Sequence, residues 1–181
     1  MPKVLQCSRE DMLEKARSLL IEKGYDACTM REVAAACGVS VGTMYTYFSS
    51  KDAMIVHAMA AEWFEVLDGV KSRCGSYADA VEGLSVFYEH IRRFALKYRT
   101  VFLHVSNMVT PDENYQKGSD LLLGQVSGVV ALLLAPLGRG KDAALCDFLA
   151  NVLLIYVQKA VAQKDGDSFA QIRPYIAKLL Q

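Results

Sequence analysis

Residues 29–51 read TMREVAAACGVSVGTMYTYFSSK. The spacing predicts two short helices joined by a tight turn, with a third helix opening at the end of the stretch. Thr29 has the chemistry of an N-cap, and Glu32 three residues later completes a capping box. Val33, Ala34 and Cys37 fall at i, i+1 and i+4 and share one buried face. Gly38 lies just past the helix end, where a left-handed residue without a Cβ costs least. Val39 plugs the turn into the core. Ser40 caps the next helix, and Met44 and Phe48 give that helix its buried side. Its other side carries Val41, Gly42, Thr43, Thr46 and Tyr47. No charge falls from Val39 to Ser50. A helix meant only for water would carry Lys and Glu there. Two short helices around such a turn are a device for seating the second one in the major groove of DNA.

Outward from this stretch the pattern is helical throughout. Ser8, with Asp11 three residues on, opens a first helix. Met12, Ala16, Leu19 and Leu20 form its buried stripe, and Gly24 is expected to end it. A fourth helix is predicted over about 51–73 and a fifth over about 77–97, with Ala80, Leu84, Phe87, Ile91 and Phe94 at helical spacing. A short sixth follows over 101–108, then a loop at 110–114. Three more are expected over about 115–135, 142–163 and from 167 or 168 to the C-terminus. Strand alternation and internal repeats are absent. The predicted fold is all-α: a three-helix unit over 1–50 holding the helix-turn-helix, joined to a larger helical domain over 51–181.

Composition sets bounds on function. The chain has 181 residues, 52% of them hydrophobic and 22% charged, which suits one or two packed domains and not a disordered chain. The net charge is zero, and the first 56 residues hold seven basic and seven acidic side chains. A neutral DNA-binding part implies few phosphate contacts per monomer, hence two monomers on one site. The five cysteines contain no C-x-x-C pair, so neither a disulfide framework nor a zinc site is indicated. Cys28 and Cys37 flank the second helix and read as small core residues. The N-terminus has no apolar signal-peptide core, which predicts a cytoplasmic protein. Residues 121–138, LLLGQVSGVVALLLAPLG, approach membrane-spanning length, but Gln125, Ser127, two internal glycines and Pro136 favour a buried helix.

Two other motifs match in form only. Gly38-Val39-Ser40-Val41-Gly42 fits the G-x-S-x-G nucleophile elbow, which needs a strand before the serine, and no strand is expected. Gly138-Arg139-Gly140-Lys141 looks like part of a phosphate-binding loop, yet Ala135 and Asp142 stand where glycine and Ser/Thr are needed. The histidines His57, His90 and His104 have no metal-binding spacing. No catalytic set assembles, and neither a cofactor nor a metal is expected.

Ala34, Gly38-Val39-Ser40, Gly42-Thr43-Met44-Tyr45, Tyr47-Phe48 and Ser50-Lys51 together resemble the DNA-binding signature of the TetR family of bacterial transcription regulators. The resemblance covers about residues 8–55. It implies a regulator, read here as a repressor, that binds a palindromic operator in double-stranded DNA as a homodimer and is released by a small-molecule effector. It places DNA contacts on Thr29, Arg31, Val41, Gly42, Thr43, Tyr45, Tyr47 and Lys51, and the chemistry agrees. Gly42 lets the backbone approach base edges, while Val41 and Thr43 offer methyl groups to thymine and Thr43 also a hydroxyl. Tyr45 and Tyr47 suit phosphates. The amide or hydroxyl of Thr29 suits a phosphate at the second helix's N-terminus. Arg31 matches a family position that reaches a base. Lys51 opens the fourth helix, where the helix dipole disfavours a cation unless an anion sits nearby.

For the rest of the chain the resemblance implies a ligand pocket and a dimer contact. Trp63, Phe87, Phe94, Phe102, His104 and Met108 are the candidate lining, suited to an apolar or aromatic compound. The eighth and last helices are the candidate dimer contact, with Leu153 among its residues. The alternative is a helical ligand-binding or adaptor protein that keeps the fold without using DNA.

Overall fold

The computed structural model describes residues 7–106, 113–163 and 168–181. These form nine α-helices: α1 (Arg9–Ala27), α2 (Met30–Cys37), α3 (Val41–Tyr47), α4 (Lys51–Lys71), α5 (Ala80–Lys97), α6 (Arg99–Ser106), α7 (Glu113–Leu134), α8 (Ala143–Gln163) and α9 (Ser168–Leu179). The fold is all-α, and no strand occurs among the described residues. Two compact units divide the chain, Met1–Trp63 and Phe64–Gln181.

The first unit is built on well-capped helices. The Asp11 amide donates to the Ser8 hydroxyl at 3.1 Å, and Asp11 Oδ2 accepts the Ser8 amide at 2.8 Å. The Ser8 amide foremost, then the Ser8 hydroxyl, which also donates to Oδ2 at 2.8 Å, hold the Asp11 carboxyl below its ordinary range. Met12, Ala16 and Leu20 of α1 are buried, as are Met30, Val33 and Ala34 of α2 and Met44 and Phe48 at α3. Leu19, expected in the same stripe, is only half-buried. The regular course of α1 breaks at Gly24, where the sequence places its end. Gly24 takes φ +83° and ψ 178°, a conformation open to glycine, and the helix resumes for one more turn to Ala27.

The first compact unit runs to Trp63, past the expected domain limit at residue 50, and the first turns of α4 pack into its core. Met54, Ile55 and Ala58 are buried. Arg17 Nε donates to the Ala58 carbonyl at 3.0 Å, and the His57 ring lies 6.3 Å from that of Phe48.

In the second unit α5 packs against α6, α7, α8 and α9, and α8 packs against α6, α7 and α9. The expected stripe on α5, Ala80, Leu84, Phe87, Ile91 and Phe94, is buried. α5 starts at Ala80, three residues later than expected, because Asp79 is the cap. Its Oδ1 accepts the Glu82 amide at 2.8 Å, and the Glu82 carboxylate accepts the Ala78 amide at 2.6 Å. The 121–138 stretch is a core helix on one side only. Val126, Val129, Val130, Leu133 and Leu134 are buried, whereas Leu121 and Leu132 are exposed. The segments Gln116–Leu137 and Ala143–Gln163 are long and apolar enough to cross a membrane by length and composition. Here they pack against each other within the helical unit. Most of the expected loop at 110–114 and the expected break at 165–167 lie outside the described residues.

Candidate nucleic-acid interface

The helix-turn-helix begins with the cap of α2. Thr29 Oγ1 accepts the Glu32 amide at 3.2 Å, but the reciprocal half of the expected capping box is absent. The Thr29 amide instead donates to the Ala27 carbonyl at 3.0 Å, and the Glu32 carboxylate lies 3.9 Å from Lys23 Nζ. The Thr29 amide is therefore not available to an anion, and only its hydroxyl proton is. Arg31, two residues on, is exposed.

Gly38 closes α2 at φ +65° and ψ 28°, as the spacing required. The amides of Gly38 and Val39 turn back to the carbonyls of Ala35 and Ala34 at 3.2 and 3.0 Å. Ser40 then caps α3, accepting the Thr43 amide at 3.1 Å. With Met44 and Phe48 buried, the remaining face of α3 points outward. Tyr45 is 57% exposed and Tyr47 38% exposed. Tyr45 thus does not pack into the unit's core. Gly42 and Thr46 are also exposed, and Val41 and Thr43 are half-buried. A Cβ built on Gly42 would meet only Ser40 Oγ, at 3.6 Å, so the packing within the protein does not demand glycine there.

Lys51, the first residue of α4, has a partner within the protein that its position in the sequence does not reveal. Its Nζ lies 3.9 Å from the centre of the Tyr25 ring and 3.5 Å from the Asp26 carbonyl. Both offset the unfavourable helix dipole without any external anion. Arg9 is a second cation of this kind, missed in the sequence. Its guanidinium lies 5.3 Å from the Phe48 ring, beside the end of α3. The signal was present, because Arg9 opens α1 against the dipole just as Lys51 opens α4.

The family model for bacterial regulatory proteins of the tetR family matches residues 12–58, the whole of this helix-turn-helix. Residues 12–58 are a TetR-family helix-turn-helix segment. Among curated relatives, the transcriptional repressor KstR of Rhodococcus jostii is 43% identical over 60 residues, covering 33% of this chain and 28% of its own. The regulator YvdT of Bacillus subtilis is 25% identical over 117 residues, covering 65% and 60% respectively. The chain thus spans less than two thirds of the length of these curated relatives. Among solved structures, the TetR-family repressor FadR of Thermus thermophilus, in complex with lauroyl-CoA, aligns with a TM-score of 0.73. That alignment covers 96% of this chain and 93% of the other at 18% identity. A putative regulator from Rhodococcus sp. RHA1 aligns with a TM-score of 0.69 over 96% of each chain at 14% identity. The TetR-like fold therefore extends past the N-terminal unit.

Within the second unit of this TetR-like fold, the expected lining residues come together only in part. Phe87 and Phe94 are buried on one face of α5. The Phe102 ring stands edge-on to Phe94 at 6.2 Å, and Tyr98, which the sequence did not single out, lies 5.0 Å from Phe94. His104 is half-buried on α6. Trp63 is buried but is the last residue of the first unit. Met108 lies outside the described residues.

Two further expectations need correction. Leu153 is fully buried within the chain itself, so it belongs to the core of its unit. The large exposed apolar side chains of α8 and α9 are Phe148, Ile155, Tyr175 and Leu179. Cys28 is buried as expected, with Sγ 3.5 Å from the Ala16 carbonyl. Cys37 is only half-buried. Burial and a hydrogen bond with Cys7 push its thiol up to about 12. No group of His, Cys, Asp and Glu among the described residues could hold a metal ion.

Proposed function

We propose that this protein is a transcriptional regulator that binds a palindromic operator through α3 and is released from it by an apolar effector. The observation that carries this reading is α3 itself. Its buried face is complete with Met44 and Phe48, and its outward face holds two tyrosines, a glycine and threonines with no charge. Gly42 fits the reading because a side chain there would stand where a base edge must approach. Thr43 and Val41 supply methyl groups to bases, and Arg31 supplies a guanidinium. Tyr45, Tyr47, the Thr29 hydroxyl and Lys51 face phosphates. The repressor relatives support the same reading, and so does the match of the family model to this segment.

The effector site is assigned to the second unit, around Phe87, Phe94 and Phe102. The lauroyl-CoA bound by the FadR neighbour is an acyl compound, and the lining here is of the apolar kind that an acyl chain or aromatic ring would contact. Two copies associate through the exposed apolar residues of α8 and α9, which gives the two-fold symmetry a palindrome needs. Sites, dimer and a cytoplasmic, non-enzymatic role stand together in this reading.

The test is selection of bound duplexes from random DNA, followed by footprinting. A protected palindrome with half-site centres about one helical turn, ~34 Å, or slightly more apart is expected. Failure to enrich any sequence would favour the adaptor reading. An asymmetric single half-site occupied by one monomer would remove the dimer.

A further inference from the structure

We propose that Tyr25 is a positioning residue for Lys51, holding its ammonium group ready for a DNA phosphate. The inference rests on the DNA-binding reading above and concerns how that reading is executed. Three observations converge on it. The Lys51 ammonium lies 3.9 Å from the centre of the Tyr25 ring, the distance of a direct cation–π contact. The Tyr25 hydroxyl donates to the Asp52 carboxylate, the residue next to Lys51. The Asp26 carbonyl, adjacent to Tyr25, is 3.5 Å from the same ammonium. One short segment of α1 thus engages both charged residues at the start of α4.

The chemistry of each contact has a consequence for an incoming phosphate. An ammonium group has three N–H directions. The ring face and the Asp26 carbonyl take up its protein side, which leaves the solvent side for an anion. A lysine on a flexible four-carbon stem loses much conformational freedom when it is fixed. The ring removes part of that loss before DNA arrives. Asp52 is a carboxylate beside a phosphate-binding cation and would repel the phosphate if it were free to swing. The Tyr25 hydroxyl ties it down. Burial, then the bond to Asp52, pushes the Tyr25 hydroxyl well above its ordinary value, so it remains a donor.

The backbone explains why Tyr25 can do this. Gly24 at φ +83° breaks the helical course of α1 immediately before it. The last turn is re-aimed, and Tyr25 and Asp26 leave the helix face that an unbroken α1 would have given them. The glycine that the sequence marks as a helix end is therefore an internal joint whose product is the Lys51 seat.

The experiment is a double-mutant cycle on duplex binding at two salt concentrations. The probes are a duplex selected by the wild-type protein and a random-sequence duplex. Lys51→Ala should weaken binding to both duplexes and reduce the salt slope by about one. Tyr25→Leu should weaken binding about three-fold, the factor a partly exposed cation–π contact is worth. In the Lys51→Ala background Tyr25→Leu should weaken binding no more than Tyr25→Phe does there, since only the tie to Asp52 is left to lose. Tyr25→Phe, which keeps the ring but releases Asp52, should weaken binding less than Tyr25→Leu does. Equal losses for Tyr25→Leu with and without Lys51 would overturn the positioning role while leaving DNA binding intact. A wild-type protein that binds neither duplex would remove the DNA-binding reading and this one with it. Should Tyr25→Leu not fold, the folded wild type decides. Ring-current upfield shifts of the Lys51 ε-methylene protons are expected in NMR spectra. Shifts equal to those of the other lysines would overturn the seat.

Discussion

The Ser40 hydroxyl lies 2.9 Å from the Thr43 hydroxyl and accepts the Thr43 amide at 3.1 Å. The cap of α3 thus engages the polar end of Thr43. The methyl group is the part of that side chain left for a partner. Thr43→Val should therefore keep the base preference at its position, and Thr43→Ser should lose it by about 1 kcal/mol, the value of one buried methyl. Affinities for a panel of single-base operator variants decide this. A Thr43→Val protein with altered preference would mean that the hydroxyl does the reading.

The surface of α8 separates association from folding. Phe148 and Ile155 lie two turns apart and are 55% and 58% exposed, whereas Leu153 is fully buried. Phe148→Asp and Ile155→Asp should yield folded monomers in sedimentation, because each places a charge in the proposed contact. Leu153→Asp should instead lower the melting temperature sharply or prevent folding, since the charge enters the core. A stable, folded Leu153→Asp monomer would reverse this assignment.

The turn between α2 and α3 should behave as a local stability element. Gly38→Ala forces a Cβ into the left-handed region and should cost about 1–2 kcal/mol, even though nothing lies within 4 Å of that Cβ. Ser40→Ala removes the α3 cap and should cost about 1 kcal/mol. Thermal unfolding followed by circular dichroism measures both. A Gly38→Ala protein as stable as wild type would contradict the backbone conformation described.

Acid stability has one identifiable source in the second unit. Arg92 donates two bonds to Glu89, at 2.7 and 3.0 Å, and Arg93 adds one at 2.8 Å. The Arg92 bonds, helped by Arg93 and opposed by burial, hold the Glu89 carboxyl below its ordinary value. A lowered folded-state value means the contribution is present above the unfolded-state value, about pH 4.3, and is lost as pH falls through the folded one. Glu89→Gln should lower stability near neutral pH and flatten the acid limb of the stability curve. Superimposable acid limbs for the two proteins would show that the cluster contributes nothing.

Much of the first unit is legible in the sequence because its signals are local. Ser8, Ser40 and Gly38 do what their side chains and spacing dictate, and the two faces of α3 follow from Met44 and Phe48 at i, i+4. What fails is non-local. The Thr29 amide goes to Ala27 and leaves Glu32 to Lys23, a competition that residue spacing does not encode. Lys51 meets the ring of Tyr25, in the turn that follows the kink at Gly24, a contact between separate elements that residue spacing does not show. In α8 the apolar residues lie on every face, so periodicity cannot tell the core residue Leu153 from the exposed Ile155. Asp79 as the α5 cap was readable in principle, since Glu82 follows it by three. Tyr77 drew the expected start too early because an apolar ring looks like the first member of the helical stripe.

The balance of seven cations and seven anions in the first 56 residues has a consequence for how such a protein would find its operator. Sequence-independent affinity for DNA comes almost wholly from phosphate contacts, and a genome offers on the order of 10⁶–10⁹ competing sites. A reading head without a surplus of positive charge is held only weakly by those decoys. Its occupancy then depends on the few contacts that recognise the operator. Loss of one such contact would cost about 1–3 kcal/mol, roughly a 5- to 150-fold fall in affinity.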